Sequence, residues 1–227
     1  MSQATDPLET IELETGPRPA ASIIVLHGLG ADGNDFVPVA QALDLAAVGP
    51  VRFVFPHAPV IPVTINNGWR MRAWYDILGM DLQRREDEGG VRRSISAIDA
   101  LLAREQDRGI AASRIVLAGF SQGCAMSLAA GLRHGHRLGG VAGLSGYLPL
   151  AASLAAERHP ANADLPVFLA HGVHDDIVPV ERGRASRDAL QALGHPVEWH
   201  EFPVAHTVSM DEVARLQYWL RARLAAS

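Results

Sequence analysis

A single cysteine, Cys124, stands among the 227 residues. No internal disulfide can form, and a reducing cytoplasm is the simplest compartment. No apolar run approaches the ~20 residues that a membrane-spanning helix needs. The opening stretch, MSQATDPLETIELETG, is polar and acidic, without the basic start and apolar middle of a secretory signal. The 20 basic residues form no stripe but are interspersed with 25 acidic ones, for a net charge of -5. That excludes nucleic acid as an expected partner. Internal repeats, biased linkers and low-complexity tracts are missing too. With 48% hydrophobic residues, the length suits one large domain over residues 1–227, with 1–20 as a partly flexible N-terminal segment.

What the sequence does have is alternation. Short runs rich in β-branched residues, apolar on both faces, occur at Ser22–Gly28, Val51–Pro56, Arg114–Phe120, Gly140–Gly146 and Pro166–Gly172. A shorter, partly alternating run lies at Val197–Pro203. Such runs read as strands buried on both sides. Helical spacing falls between and after them, at Asp35–Ala47, Val91–Gly109, Gln122–Gly135, Val180–Gly194 and Ser209–Ala226. The last opens on Ser209 with Glu212 three residues on, the pattern of a capping box. Strands alternating with helices predict a mainly parallel sheet with helices on both faces, an α/β fold. In such folds chemistry gathers beyond the carboxyl ends of the strands. Residues 57–90 carry no sustained period, yet they hold Trp69, Met71, Trp74, Tyr75, Ile77, Leu78 and Met80. That is too much apolar surface for disorder, so the segment is expected to pack over the strand ends.

The most informative turn is GFSQG, Gly119–Gly123, between a strand and a helix. Gly-x-Ser-x-Gly in that setting is a nucleophile elbow, which sets Ser121 on a sharp turn at a helix N-terminus. A serine needs a base, and the order on this fold is Ser, acid, His. HGVHDDIVP follows a buried strand and offers Asp175 or Asp176; the H-G-x-x-D spacing favours Asp175. AHTVSMDE, between the last strand and last helix, offers His206. HGLGADG, after the first buried strand, supplies glycines for an oxyanion hole, with the N–H groups of Leu29 and Gln122 as donors.

Taken together, GFSQG, HGLGADGNDF, FPHAPVIPVTINNGWRMRAWYDI, HGVHDDIVP and AHTVSMDEV resemble the small bacterial carboxylesterases related to acyl-protein thioesterases. The resemblance runs from about Ile23 to the last helix, and FPHAP…MRAWYDI is its most specific part. It implies a compact α/β-hydrolase fold with no separate cap domain, hydrolysing short- to medium-chain acyl esters, often with thioester activity. It implies Ser121, Asp175 and His206 as nucleophile, acid and base, Leu29 and Gln122 at the oxyanion hole, and Trp74 and Tyr147 near the acyl pocket. Cys124 is a departure, because the family more often has glycine there.

Other features have plainer readings. Cys124 lies on a small-residue helix face and reads as a packed core thiol. His171, His174, Asp175 and Asp176 look like metal ligands, but the triad explains their spacing and no second ligand cluster stands out. His27 reads as a structural hydrogen-bonder, and RREDEG, Arg84–Gly89, as a solvated turn. The expectation is a serine carboxylesterase without cofactor or metal, whose partner is a small acyl ester. A homodimer is compatible with the composition, although no interface is marked. The rivals are an acyl-protein or acyl-coenzyme A thioesterase, a non-catalytic binding module and, with less support, a peptidase or lactonase.

Overall fold

A computed structural model describes residues 7–79 and 86–225. The strands are β1 (Thr10–Glu14), β2 (Ala21–Leu26), β3 (Val51–Pro56), β4 (Val60–Val63), β5 (Trp69–Arg72), β6 (Ile115–Phe120), β7 (Gly140–Leu144), β8 (Val167–Gly172) and β9 (Val197–Phe202). The helices are α1 (Val37–Ala42), α2 (Glu88–Asp107), α3 (Gln122–Arg133), α4 (Ala151–Glu157), α5 (Val180–Ala192) and α6 (Met210–Leu224). Seven strands form one sheet in the order β1-β3-β2-β6-β7-β8-β9. All neighbours are parallel except β1, which runs antiparallel to β3.

Period two in the buried strands divides the core between two faces. Ile24 and Leu26 of β2, with Ile115 and Leu117 of β6, pack toward α2 and α3. Ile23, Val25, Val116 and Ala118 face the other way, where α6 contributes Leu216, Trp219 and Leu220. Among the described residues, no helix is long and apolar enough to cross a membrane.

Five local expectations change. Residues 10–14, expected within a partly flexible segment, form edge strand β1. The chain has no lysine, and arginines anchor this acidic strand. Arg52 bonds Glu14 at 2.8 Å and the buried Glu105 at 3.0 Å, while Arg108 bonds Glu12 at 2.8 Å. Forked guanidinium groups hold several carboxylates at once, which an ammonium group does less well.

The helix expected over Asp35–Ala47 is cut short at Ala42. Asp44 turns its carboxylate onto the N–H of Ala46 and its own N–H onto Gln217 of α6, and a 3₁₀ turn follows at Ala46–Val48. An aspartate that bonds locally competes with the helix.

The segment 57–90, aperiodic in sequence, nonetheless contains an antiparallel hairpin of β4 and β5, turned through Asn67 and Gly68, both at positive φ. In the run RREDEG, Arg84 and Arg85 lie outside the described residues, as does Met80 of the preceding segment. The rest is not a solvated turn. Asp87 caps α2 by accepting from the N–H of Gly90, and it also accepts from the N–H of Asp76.

The capping box of α6 is half made. Ser209 Oγ accepts from the N–H of Glu212 at 3.2 Å, but the Glu212 carboxyl is fully buried, with neither oxygen hydrogen-bonded among the described residues. Burial raises its pKa from 4.5 to about 7. The folded state therefore holds a proton that the unfolded chain has released above pH 4.5. This contribution is complete below the unfolded pKa and falls away as pH rises through about 7. Glu212→Gln is expected to match the parent near pH 4.5 and exceed it by about 3 kcal/mol at pH 8. Urea melts at the two pH values test this, and parallel pH profiles for the two proteins would refute it.

Candidate active site

The elbow is built by two close backbone approaches. A Cβ at Gly119 would lie 2.3 Å from the carbonyl oxygen of Gly123, and one at Gly123 would lie 2.0 Å from that of Leu26. With both positions bare, β6 can turn into α3 within one residue. Ser121 takes the strain, with φ 55° and ψ -116°. Its N–H is anchored on the carbonyl of Leu144 at 2.9 Å. A non-glycine residue held at positive φ by its surroundings is a feature of functional sites.

Its side chain meets His206. The imidazole Nε2 lies 2.9 Å from Ser121 Oγ, and Nδ1 lies 2.7 Å from Asp175 Oδ2. A carboxylate accepts, so Nδ1 carries the proton and Nε2 is free to receive one from the hydroxyl. The other carboxylate oxygen, Oδ1, accepts from the N–H groups of Ile177 and Val178 at 3.0 and 2.8 Å. Asp175 is thus held from both sides, while Asp176 and His174 are exposed. Phe120 packs its ring 4.7 Å from the imidazole of His206, centroid to centroid. His171 is buried behind Asp175 and donates from Nε2 to the carbonyl of Val178 at 2.7 Å. Burial lowers its pKa, favouring the neutral ring. Among the described residues, no group of three or more His, Cys, Asp or Glu side chains is placed to hold a metal.

The loop after β2 is fixed by His27. The N–H of Ala58 donates to Nε2 at 3.0 Å, so Nδ1 bears the hydrogen and gives it to the carbonyl of Gly28 at 2.7 Å. Burial pushes the pKa of His27 down, which keeps this tautomer uncharged. The Gly28 carbonyl also accepts from Ala31 at 3.3 Å. In a trans peptide the N–H points opposite its carbonyl. The N–H of Leu29 therefore turns away from both partners.

Gln122 has a second task that its place in the elbow does not reveal. Its side chain accepts from the N–H of Trp74 and donates to the carbonyl of Tyr75, each at 2.8 Å. This clamp fastens the aromatic segment to the elbow.

A cavity of about 380 Å³ opens over Ser121. Leu29, Gln122 and His206 border it, together with Ile65, Tyr75, Ile77, Phe120, Tyr147, Ile177 and Val178. Tyr147 lines this cavity and Trp74 does not. Trp74 is almost wholly buried behind the wall, with Nε1 donating to the carbonyl of His27 at 2.9 Å. Tyr75 takes the cavity face, because the Gln122 clamp sets which of two adjacent rings turns inward. Cys124 is buried, and burial pushes its thiol up to about 12. It packs against Gly143 and Gly146, where an added Cβ would lie 2.6 Å and 2.5 Å from Cys124 atoms. The departure at the elbow is thus taken up by small residues on and after β7.

A family model described as Phospholipase/Carboxylesterase matches residues 9–224. The chain belongs to the phospholipase/carboxylesterase family. Its fold is that of the α/β-hydrolases, and it is a hydrolase of the esterase type. Among curated relatives of this family member, acyl-protein thioesterase 1 of Yarrowia lipolytica is 35% identical over 223 residues, covering 96% of this chain and 98% of the relative. Acyl-protein thioesterase 1 of Gibberella zeae is 40% identical over 213 residues, covering 90% and 91%. Among solved structures, Arabidopsis thaliana SOBER1 superposes with a TM-score of 0.86 at 30% identity, covering 90% of this chain and 99% of that one.

Proposed function

We propose that this phospholipase/carboxylesterase family member is a serine carboxylesterase acting on short- to medium-chain acyl esters in the cytoplasm. The observation that carries the proposal is the line from Ser121 to His206 to Asp175, at 2.9 and 2.7 Å, facing a mostly apolar cavity. Ser121 Oγ attacks the ester carbonyl as its proton passes to His206 Nε2. The carbonyl oxygen becomes an oxyanion, held by the N–H groups of Leu29 and Gln122. His27 is the positioning residue for the first of these, through its bond to the Gly28 carbonyl. Losing one such donor typically costs about 3–4 kcal/mol at the transition state. The proton on His206 goes to the departing alkoxide, leaving an acyl-serine. Water then gives a proton to His206 and attacks the acyl carbon, Ser121 recovers its hydrogen, and the acid leaves. The scheme uses no metal and no organic cofactor.

The names of the curated relatives favour a second reading, in which the same machinery acts on acyl thioesters. Oxygen esters and thioesters of matched acyl chains, compared by kcat/KM, separate the two. A thioester preference across the series would move the assignment to thioesterase. A fluorophosphonate probe is expected to label Ser121 covalently. An unlabelled, folded protein would instead point to a silent binding module on the same fold.

A further inference from the structure

A second cavity, of about 280 Å³, lies between the start of α4 and the outer face of α5. Its lining includes Leu148, Ala151, Arg182, Ala185 and Ala189. Among the described residues, only Tyr147 lines both this cavity and the one over Ser121. The tyrosine ring is therefore the partition between them. Its hydroxyl lies 2.8 Å from that of the buried Tyr75, on the Ser121 side. From α5, the guanidinium of Arg182 covers the ring 3.6 Å from its centroid. The backbone beside it is fixed, since the N–H of Leu148 donates to Ser186 Oγ of α5 at 2.8 Å. The side chain is thus the part of this wall that a substitution can remove without moving β7 or α5.

We propose that Tyr147 sets the upper limit of acyl length, and that the second cavity is a ready-made extension of the acyl site toward long-chain acyl groups. This rests on the hydrolase reading above and specifies its substrate range. An acyl chain attached at Ser121 fills the first cavity and stops at the tyrosine ring. With the ring gone, its tail continues into space lined by Leu148, Ala151, Ala185 and Ala189, while the carbonyl stays at the elbow. Each further methylene that leaves water then adds to transition-state binding, roughly fourfold in kcat/KM.

The test is a p-nitrophenyl ester series from acetyl to palmitoyl. For the parent, kcat/KM should climb with chain length and then break. In Tyr147→Ala the break should move to longer chains, by roughly fourfold per added methylene beyond the parent's break. Tyr147→Leu guards against a folding failure in the alanine variant and should give a smaller shift in the same direction. Tyr147→Phe keeps the ring, so its break should stay at the parent's chain length. Ala185→Trp fills the second cavity from an exposed position on α5. It should cancel the shift in the Tyr147→Ala background and leave the parent's break in place when made alone. An unmoved break in both truncations, with short esters still turned over, overturns the partition. Absence of turnover for every ester in the parent would instead strike the hydrolase reading.

Discussion

Ser121→Ala is expected to lower ester turnover by roughly 10⁴- to 10⁶-fold while the protein melts close to the parent temperature. The loss should be that large because the alanine variant retains everything except the attacking atom. His206 still rests on Asp175 at 2.7 Å, and Asp175 still accepts from the backbone at Ile177 and Val178. The anchor from the N–H of residue 121 to the carbonyl of Leu144 is a backbone bond and survives the change. Stability is expected to hold for the same reason, since only one hydroxyl at the edge of a cavity is removed. Initial rates on a p-nitrophenyl ester, with a circular dichroism melt on the same preparation, check both halves. Parent-like turnover would rule out Ser121 as nucleophile.

Gly123→Ala is expected to cost more than about 4 kcal/mol, enough to leave little folded protein. Its new methyl would lie 2.0 Å from the carbonyl oxygen of Leu26 and 2.7 Å from that of His27. These are main-chain atoms at the end of β2, a central strand, so no rotamer change relieves the overlap. Either α3 retreats from the sheet or the strand bends, and both loosen the core shared by β2, β6 and α3. Gly135→Ala is the control, because a Cβ there meets nothing within 4 Å. Its stability should lie within about 0.5 kcal/mol of the parent. Chemical denaturation of the three proteins decides the matter, and an alanine at 123 with parent-like stability would refute the close approach.

How much of this could be read from the chain depended on how local each signal was. The doubly buried strands announced themselves as unbroken apolar runs, since no surface position interrupts Ile23–Leu26 or Ile115–Ala118. The elbow was readable because its glycines are demanded by adjacent backbone, a constraint written within five residues. β1 was not, because an edge strand with polar residues resembles a tail until its ion pairs with Arg52 and Arg108 are in view. The hairpin of β4 and β5 hid behind four-residue strands and Pro62, although the pair Asn67-Gly68 is a turn signal in its own right. The exchange of Trp74 for Tyr75 at the cavity wall could not be seen in a one-dimensional pattern. It depends on a side chain 47 residues away reaching across to hold the main chain.

That reach has a consequence for anyone seeking to change what the protein accepts. Gln122 joins the shape of the chamber to the amide proposed to receive the oxyanion, so selectivity and speed are tied to one position. A mutant library that randomised residue 122 would release the aromatic wall from the elbow in most of its members. Diversity placed at Ile65, Ile77 and Ile177 would reshape the chamber and leave that tie intact.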